Sequence, residues 1–82
     1  MPLSELAERQ RCAGANSVLR KAAAGKAEKI FIAKDIDAKL MSELRRAAEL
    51  GMIPVEYAED SQQLGRACAV PRKTAAAALL KD

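Results

Sequence analysis

Apolar and polar positions divide the chain into short helices and short strands that take turns. Leu3, Leu6 and Ala7 recur at helical spacing, so 2–10 reads as a short helix begun by Pro2 or Ser4. Arg11–Ala13 is a short extended piece before Gly14. A second helix is expected from about Asn16 to Ala24, with Asn16 as its N-cap and Gly25 as its stop. Val18, Leu19, Ala22 and Ala23 supply its packing face. Lys29-Ile30-Phe31-Ile32-Ala33 is a continuous apolar run behind one lysine, the pattern of a strand buried on both faces. A polar turn, Lys34-Asp35-Ile36-Asp37, then leads into a helix over Ala38–Leu50. Leu40, Leu44, Ala47 and Ala48 form its apolar stripe, Arg45 and Arg46 lie off it, and Gly51 ends it.

Ile53–Ala58 reads as a strand, with Pro54 near its start where a missing N–H does least harm. Asp60 or Ser61 caps a short helix through Leu64, Ala67 and Cys68, and Val70-Pro71-Arg72-Lys73 forms a loop. Thr74–Leu80 poses a conflict. Its alanines favour helix, whereas the alternation of helix and strand requires one more central strand. We assign a strand. The fold class is α/β: a three-layer α/β/α sandwich on a small mixed four-stranded sheet, in a single domain over 1–82.

Eighty-two residues allow one modest core. Phe31 and Tyr57 are the only rings, which argues against the aromatic stacking platforms that hold single strands. The net charge is +3 and there is no histidine. Residues 1–41 carry eight Lys/Arg against five Asp/Glu, and residues 42–82 carry six of each. The basic excess thus lies in the first half, a bias that suits a nucleic-acid partner. Cys12 and Cys68 form no CxxC and read as small buried thiols in a reducing cytoplasm. The first residues include Glu5, Glu8 and Arg9 with no long apolar run, so neither a signal peptide nor a membrane span is expected. The expectation is a cytoplasmic monomer.

Candidate chemistry is sparse. Ala24-Gly25-Lys26-Ala27 shares a glycine–lysine step with a P-loop, but Ala27 is neither Ser nor Thr and Arg20 occupies the earlier glycine position. Asp35 and Asp37 sit in a strand-to-helix turn, where capping and solvation are the default. Cys68, Ser17 and Ser61 have no histidine to act as base. No catalytic constellation, cofactor or metal site emerges. What remains is Gly14-Ala15-Asn16-Ser17-Val18-Leu19-Arg20-Lys21, a glycine turn opening a helix with basic residues one turn on. Helix N-termini attract anions through unpaired N–H groups and the dipole. Arg20, four residues beyond Asn16, shares its face.

Several segments in fixed order extend this reading: Gly14-Ala15-Asn16, Gly25-Lys26-Ala27, Ile32-Ala33-Lys34-Asp35, Ile53-Pro54 and Leu64-Gly65-Arg66-Ala67-Cys68. Together they resemble the kink-turn RNA-binding ribosomal protein family, the L-seven-Ae family, and the chain is similar in length to its short bacterial branch of the YbxF and YlxQ type. The resemblance covers about residues 3–80. It implies an α/β/α sandwich that binds kink-turns, RNA elements with tandem sheared G·A pairs beside a short bulge. It places Gly14, Ala15, Asn16, Ser17 and Arg20, with Lys21 adjacent, at the G·A pairs. It places Val70, Pro71, Arg72, Lys73 and Thr74 over the bulge, and Asp37 and Met41 near a flipped-out base. Lys21, Lys26 and Lys34 are read as phosphate contacts that set the salt dependence. The chain departs from the family pattern at Ser17, often Glu, at Ala69, commonly Gly, and at Ser61, a lysine position. The implied partner is structured RNA such as ribosomal or riboswitch RNA. The alternative is a protein–protein adaptor that keeps the fold but has lost RNA contacts.

Overall fold

A computed structural model describes residues 10–71 and 73–81. The helix expected over 2–10 falls outside this set, apart from Gln10, which is not helical. The described elements are β1 (Arg11–Ala13), α1 (Ala15–Ala23), β2 (Ala27–Ala33), α2 (Ala38–Leu50), β3 (Val55–Ala58), α3 (Ser61–Ala67) and β4 (Ala76–Leu80). The sheet order is β1-β4-β2-β3. β4 is antiparallel to both neighbours, with Cys12 opposite Ala78 and Ile30 opposite Ala78 on its other side. β2 and β3 are parallel, Ile30 opposite Val55. β1, β2 and β3 therefore all run the same way, and α1, α2 and α3 all begin at one end of the sheet.

β2 explains the layers. Its side chains alternate between faces. Ile30 and Ile32 join Val18, Ala22, Leu44 and Ala48 under α1 and α2. Phe31 and Ala33 join Leu64, Cys68, Ala77 and Leu79 under α3. The apolar run is thus buried on both faces, as its sequence predicts. β4 is an alanine-rich strand buried on both faces as well, with Ala76, Ala77 and Ala78 fully inaccessible. Helix propensity loses here because the sheet needs a small-residue strand between β1 and β2.

All three described helices end in the same way. Each closes with a pair of backbone bonds of the Schellman type: Lys26 N–H to Lys21 O and Gly25 N–H to Ala22 O in α1, Ile53 to Ala48 and Met52 to Glu49 in α2, Val70 to Gly65 and Ala69 to Arg66 in α3. The motif puts one residue in the left-handed region. That residue is Gly25 (φ 72°), then Met52 (φ 53°), then Ala69 (φ 59°). Gly51 terminates α2 as expected, but not by taking a positive φ. A Cβ there would lie 2.9 Å from Ile53 Cδ1, so its role is to let Ile53 fold back onto the helix end. The same closure delays β3, which begins at Val55 rather than Ile53.

Candidate nucleic-acid interface

The end of the sheet where the helices begin also receives the start of β4. Gly14 N–H donates to Ala76 O (2.8 Å), Ala33 N–H to Ala75 O (2.9 Å) and Lys34 N–H to Ala58 O (3.0 Å). These bonds gather three segments with expected site residues: 14–21, 34–41 and the connection from α3 to β4. In open α/β sheets this end, beyond the carboxyl ends of parallel strands, is where ligands bind.

The three helix N-termini gathered there differ in charge state. Asp37 caps α2, its side chain accepting from Leu40 N–H at 3.0 Å. Asp60 caps α3, accepting from Gln63 N–H at 2.7 Å. Asp35 adds a second carboxylate to α3, accepting from both the Ser61 N–H (2.9 Å) and the Ser61 hydroxyl (3.1 Å). α1 has no counterpart. Its N-cap is Gly14, which makes no side-chain cap bond, and its first turn holds no acidic residue.

This corrects the expectation for Asn16. Gly14 adopts φ 100°, a conformation that costs glycine little, and the N-cap lies two residues earlier than the side-chain pattern suggests. Asn16 therefore stands inside the first turn, exposed, with no side-chain hydrogen bond among the described residues. Val18 N–H is already taken by Gly14 O at 3.0 Å. The free donors are the N–H groups of Ala15, Asn16 and Ser17, which have no partner inside the helix. Arg20 is exposed one turn further on.

The remaining expected residues sort as follows. Lys34 is exposed and its Nζ lies 3.3 Å from Glu59 Oε1, a surface pair weak enough to exchange for another anion. Asp37 is committed to its cap. Met41 is half-buried and packs on the core beneath α1 and α2. Val70 lines a cleft with Ala13, the residue before Gly14, so the α3–β4 connection reaches the start of α1. Pro71 and Lys73 are exposed beyond it, and Arg72 lies outside the described residues. Thr74 N–H donates to Ser61 O (3.0 Å), tying this connection to the residue that Asp35 holds.

Lys26 does not join the cluster. It follows α1 and precedes β2, so it sits at the opposite end of the sheet, about 20 Å away along a seven-residue strand. Lys21, in the last turn of α1, points toward that end. Asp35 is the contributor that residue-type reasoning placed only as a generic turn carboxylate. No local signal marks its partner, because Ser61 is brought to it by the β2–β3 pairing.

The thiols play no part in this geometry. Burial pushes the Cys12 and Cys68 thiols above their ordinary range, against smaller opposing effects of a backbone hydrogen bond at Ala78 and the nearby cations for Cys12 and of Arg11 for Cys68. They pack on opposite faces of the sheet and are free. No described helix is long and apolar enough to cross a membrane.

Known proteins share this fold. The model of the ribosomal protein L7Ae/L30e/S12e/Gadd45 family matches residues 4–82. The chain is 29% identical over 68 residues to the RNA-binding protein GK0100 of Geobacillus kaustophilus and 28% identical over 68 residues to the RNA-binding protein YbxF of Geobacillus stearothermophilus, covering 83% of each chain in both cases. Among solved structures, the Giardia lamblia 15.5kD RNA binding protein superimposes with a TM-score of 0.85 at 30% identity, over 98% of this chain and 68% of that one. A Bacillus halodurans protein of unknown function shares the fold, with a TM-score of 0.84 at 22% identity over 96% of this chain and 83% of its own. With a family match over nearly its whole length, the chain belongs to the ribosomal protein L7Ae/L30e/S12e/Gadd45 family.

Proposed function

We propose that this chain is a non-catalytic RNA-binding protein that recognises kink-turns, in ribosomal or other structured RNA, and stabilises their bent form. The observation that carries the reading is the uncapped N-terminus of α1, set among neighbours already neutralised by Asp35, Asp37 and Asp60. Support comes from the relatives, which are named as RNA-binding proteins.

The division of labour follows from the residues. Ala15, Asn16 and Ser17 present backbone donors, and the exposed Asn16 amide can pair with a base edge. Arg20 supplies charge and two parallel donors for a guanine. Lys34 and Lys73 meet phosphates. Val70 and Pro71 lay apolar surface over the bulged nucleotides. An ordinary RNA duplex hides its base edges in a deep, narrow major groove, whereas the sheared pairs of a kink-turn expose them. The protein shifts the RNA toward the bent form only so far as it binds that form better.

The test is a titration of a kink-turn RNA against a variant whose G·A pairs are replaced by Watson–Crick pairs. Tight binding to the first alone is the expected result. Equal, salt-sensitive binding to both would reduce the interaction to generic basic attraction and overturn the reading.

A further inference from the structure

We propose that a basic trough along α1 is a track for the phosphate backbone of the RNA stem flanking the kink, an inference that rests on the kink-turn reading. Ser17, Arg20, Lys21 and Ala24 fall on one face of the helix at helical spacing and, with Cys12 and Lys26, line a groove. At its far end this groove runs into a second one that shares Lys21 and Lys26 and adds Lys81. The trough therefore starts at the first turn of α1, inside the proposed interface, and ends at the opposite edge of the molecule.

Its far end is held in place by backbone bonds. Lys26 N–H donates to Lys21 O at 2.9 Å, and Lys81 N–H donates to Lys26 O at 2.8 Å. These bonds keep the three lysines together. Among the described residues none of Arg20, Lys21, Lys26 and Lys81 forms an ion pair, whereas Lys29 and Lys34 both do. Four unpaired cations along one strip repel each other, and a polyanion relieves that repulsion.

The dimensions suit a strand rather than a single anion. The helical part rises about 10 Å from Ser17 to Ala24. With the step to Lys26 and Lys81 the trough reaches roughly 15 Å, long enough for more than one successive phosphate of a strand. The same strip explains why Lys26 lies so far from the kink-facing cluster. It meets the RNA where the stem leaves the kink.

The test compares two kink-turn RNAs with the same core. One carries a stem just long enough to close the element, and in the other the stem on the α1 side is extended by one helical turn. The parent protein and K26A/K81A are titrated with both over a salt series. The parent is expected to bind the extended RNA about tenfold tighter at low salt, with a steeper salt slope. The double variant is expected to lose that advantage, with the slope on the extended RNA falling by about two, while its affinity for the short RNA stays within twofold of the parent's. Thermal midpoints of the two proteins confirm that both are folded. Equal parental binding to both RNAs, or an equal loss on both in the variant, overturns the track and leaves kink recognition standing. No parental binding to either RNA overturns kink recognition itself, and the track with it.

Discussion

Ala69 and Met52 are the two described non-glycine residues with positive φ, each one residue past the C-cap of its helix. The left-handed conformation costs an L-residue roughly 1–2 kcal/mol, and glycine gives back part of that gain through its freer unfolded chain. Ala69→Gly should therefore stabilise the protein by roughly 0.5–1 kcal/mol, measured as a higher denaturant midpoint with an unchanged slope. Met52 is 91% exposed and buries almost nothing, so Met52→Gly isolates the same backbone effect. Ala69 stands where the family resemblance expects a glycine, and its positive φ is the reason glycine is favoured there. Arg20 presents the opposite case, an exposed side chain with its consequence in binding. Arg20→Ala should cost about 1–3 kcal/mol of affinity for a kink-turn while changing stability by no more than about 0.5 kcal/mol. A variant that binds as tightly as the parent would remove Arg20 from the site.

At the scale of elements, helix ends decide the outcome more than helix interiors. α3 is only seven residues long, so its stability depends on its cap. Asp35→Ala deletes both bonds to Ser61 and should cost about 1–2 kcal/mol, checked by denaturant unfolding. α2 was legible to the residue because its apolar stripe, its aspartate cap and its terminal glycine all agree. β4 was legible only through the order of elements, since four consecutive alanines carry no strand signal of their own. The N-cap of α1 lies two residues before the expected Asn16, because Asn16 is a strong cap type while the operative feature is a glycine conformation that side-chain preference does not reveal. Lys26 reads from the sequence as a phosphate contact with no place on the sheet, and its distance from the first turn of α1 comes from topology alone. Loops that follow strands and loops that follow helices lie at opposite ends of such a sheet, and a pattern read along the chain does not separate them.

For the whole molecule, the sheet divides the interior into two compartments, and each thiol belongs to one. Because burial raises both pKa values, the folded protein holds the thiol protons more tightly than the unfolded chain does. The resulting stability is full below the unfolded thiol pKa and is lost as pH rises through the folded one. Neutral pH should show no effect, and at about pH 10 the parent should lose more stability than C12A/C68A does. Guanidinium midpoints at the two pH values measure the difference, and identical losses would refute it. The position of β4 bears on the order of assembly. It pairs on both sides, with β1 from the start of the described chain and with β2 from its middle. Until residues 76–80 arrive, β1 has no neighbour and the central face of β2 is an open, sticky edge. A chain truncated after Ala75 should therefore fail to fold and should aggregate. During synthesis, nearly everything before β4 must wait unassembled, so closure of this sheet is a late, long-range event rather than a stepwise one.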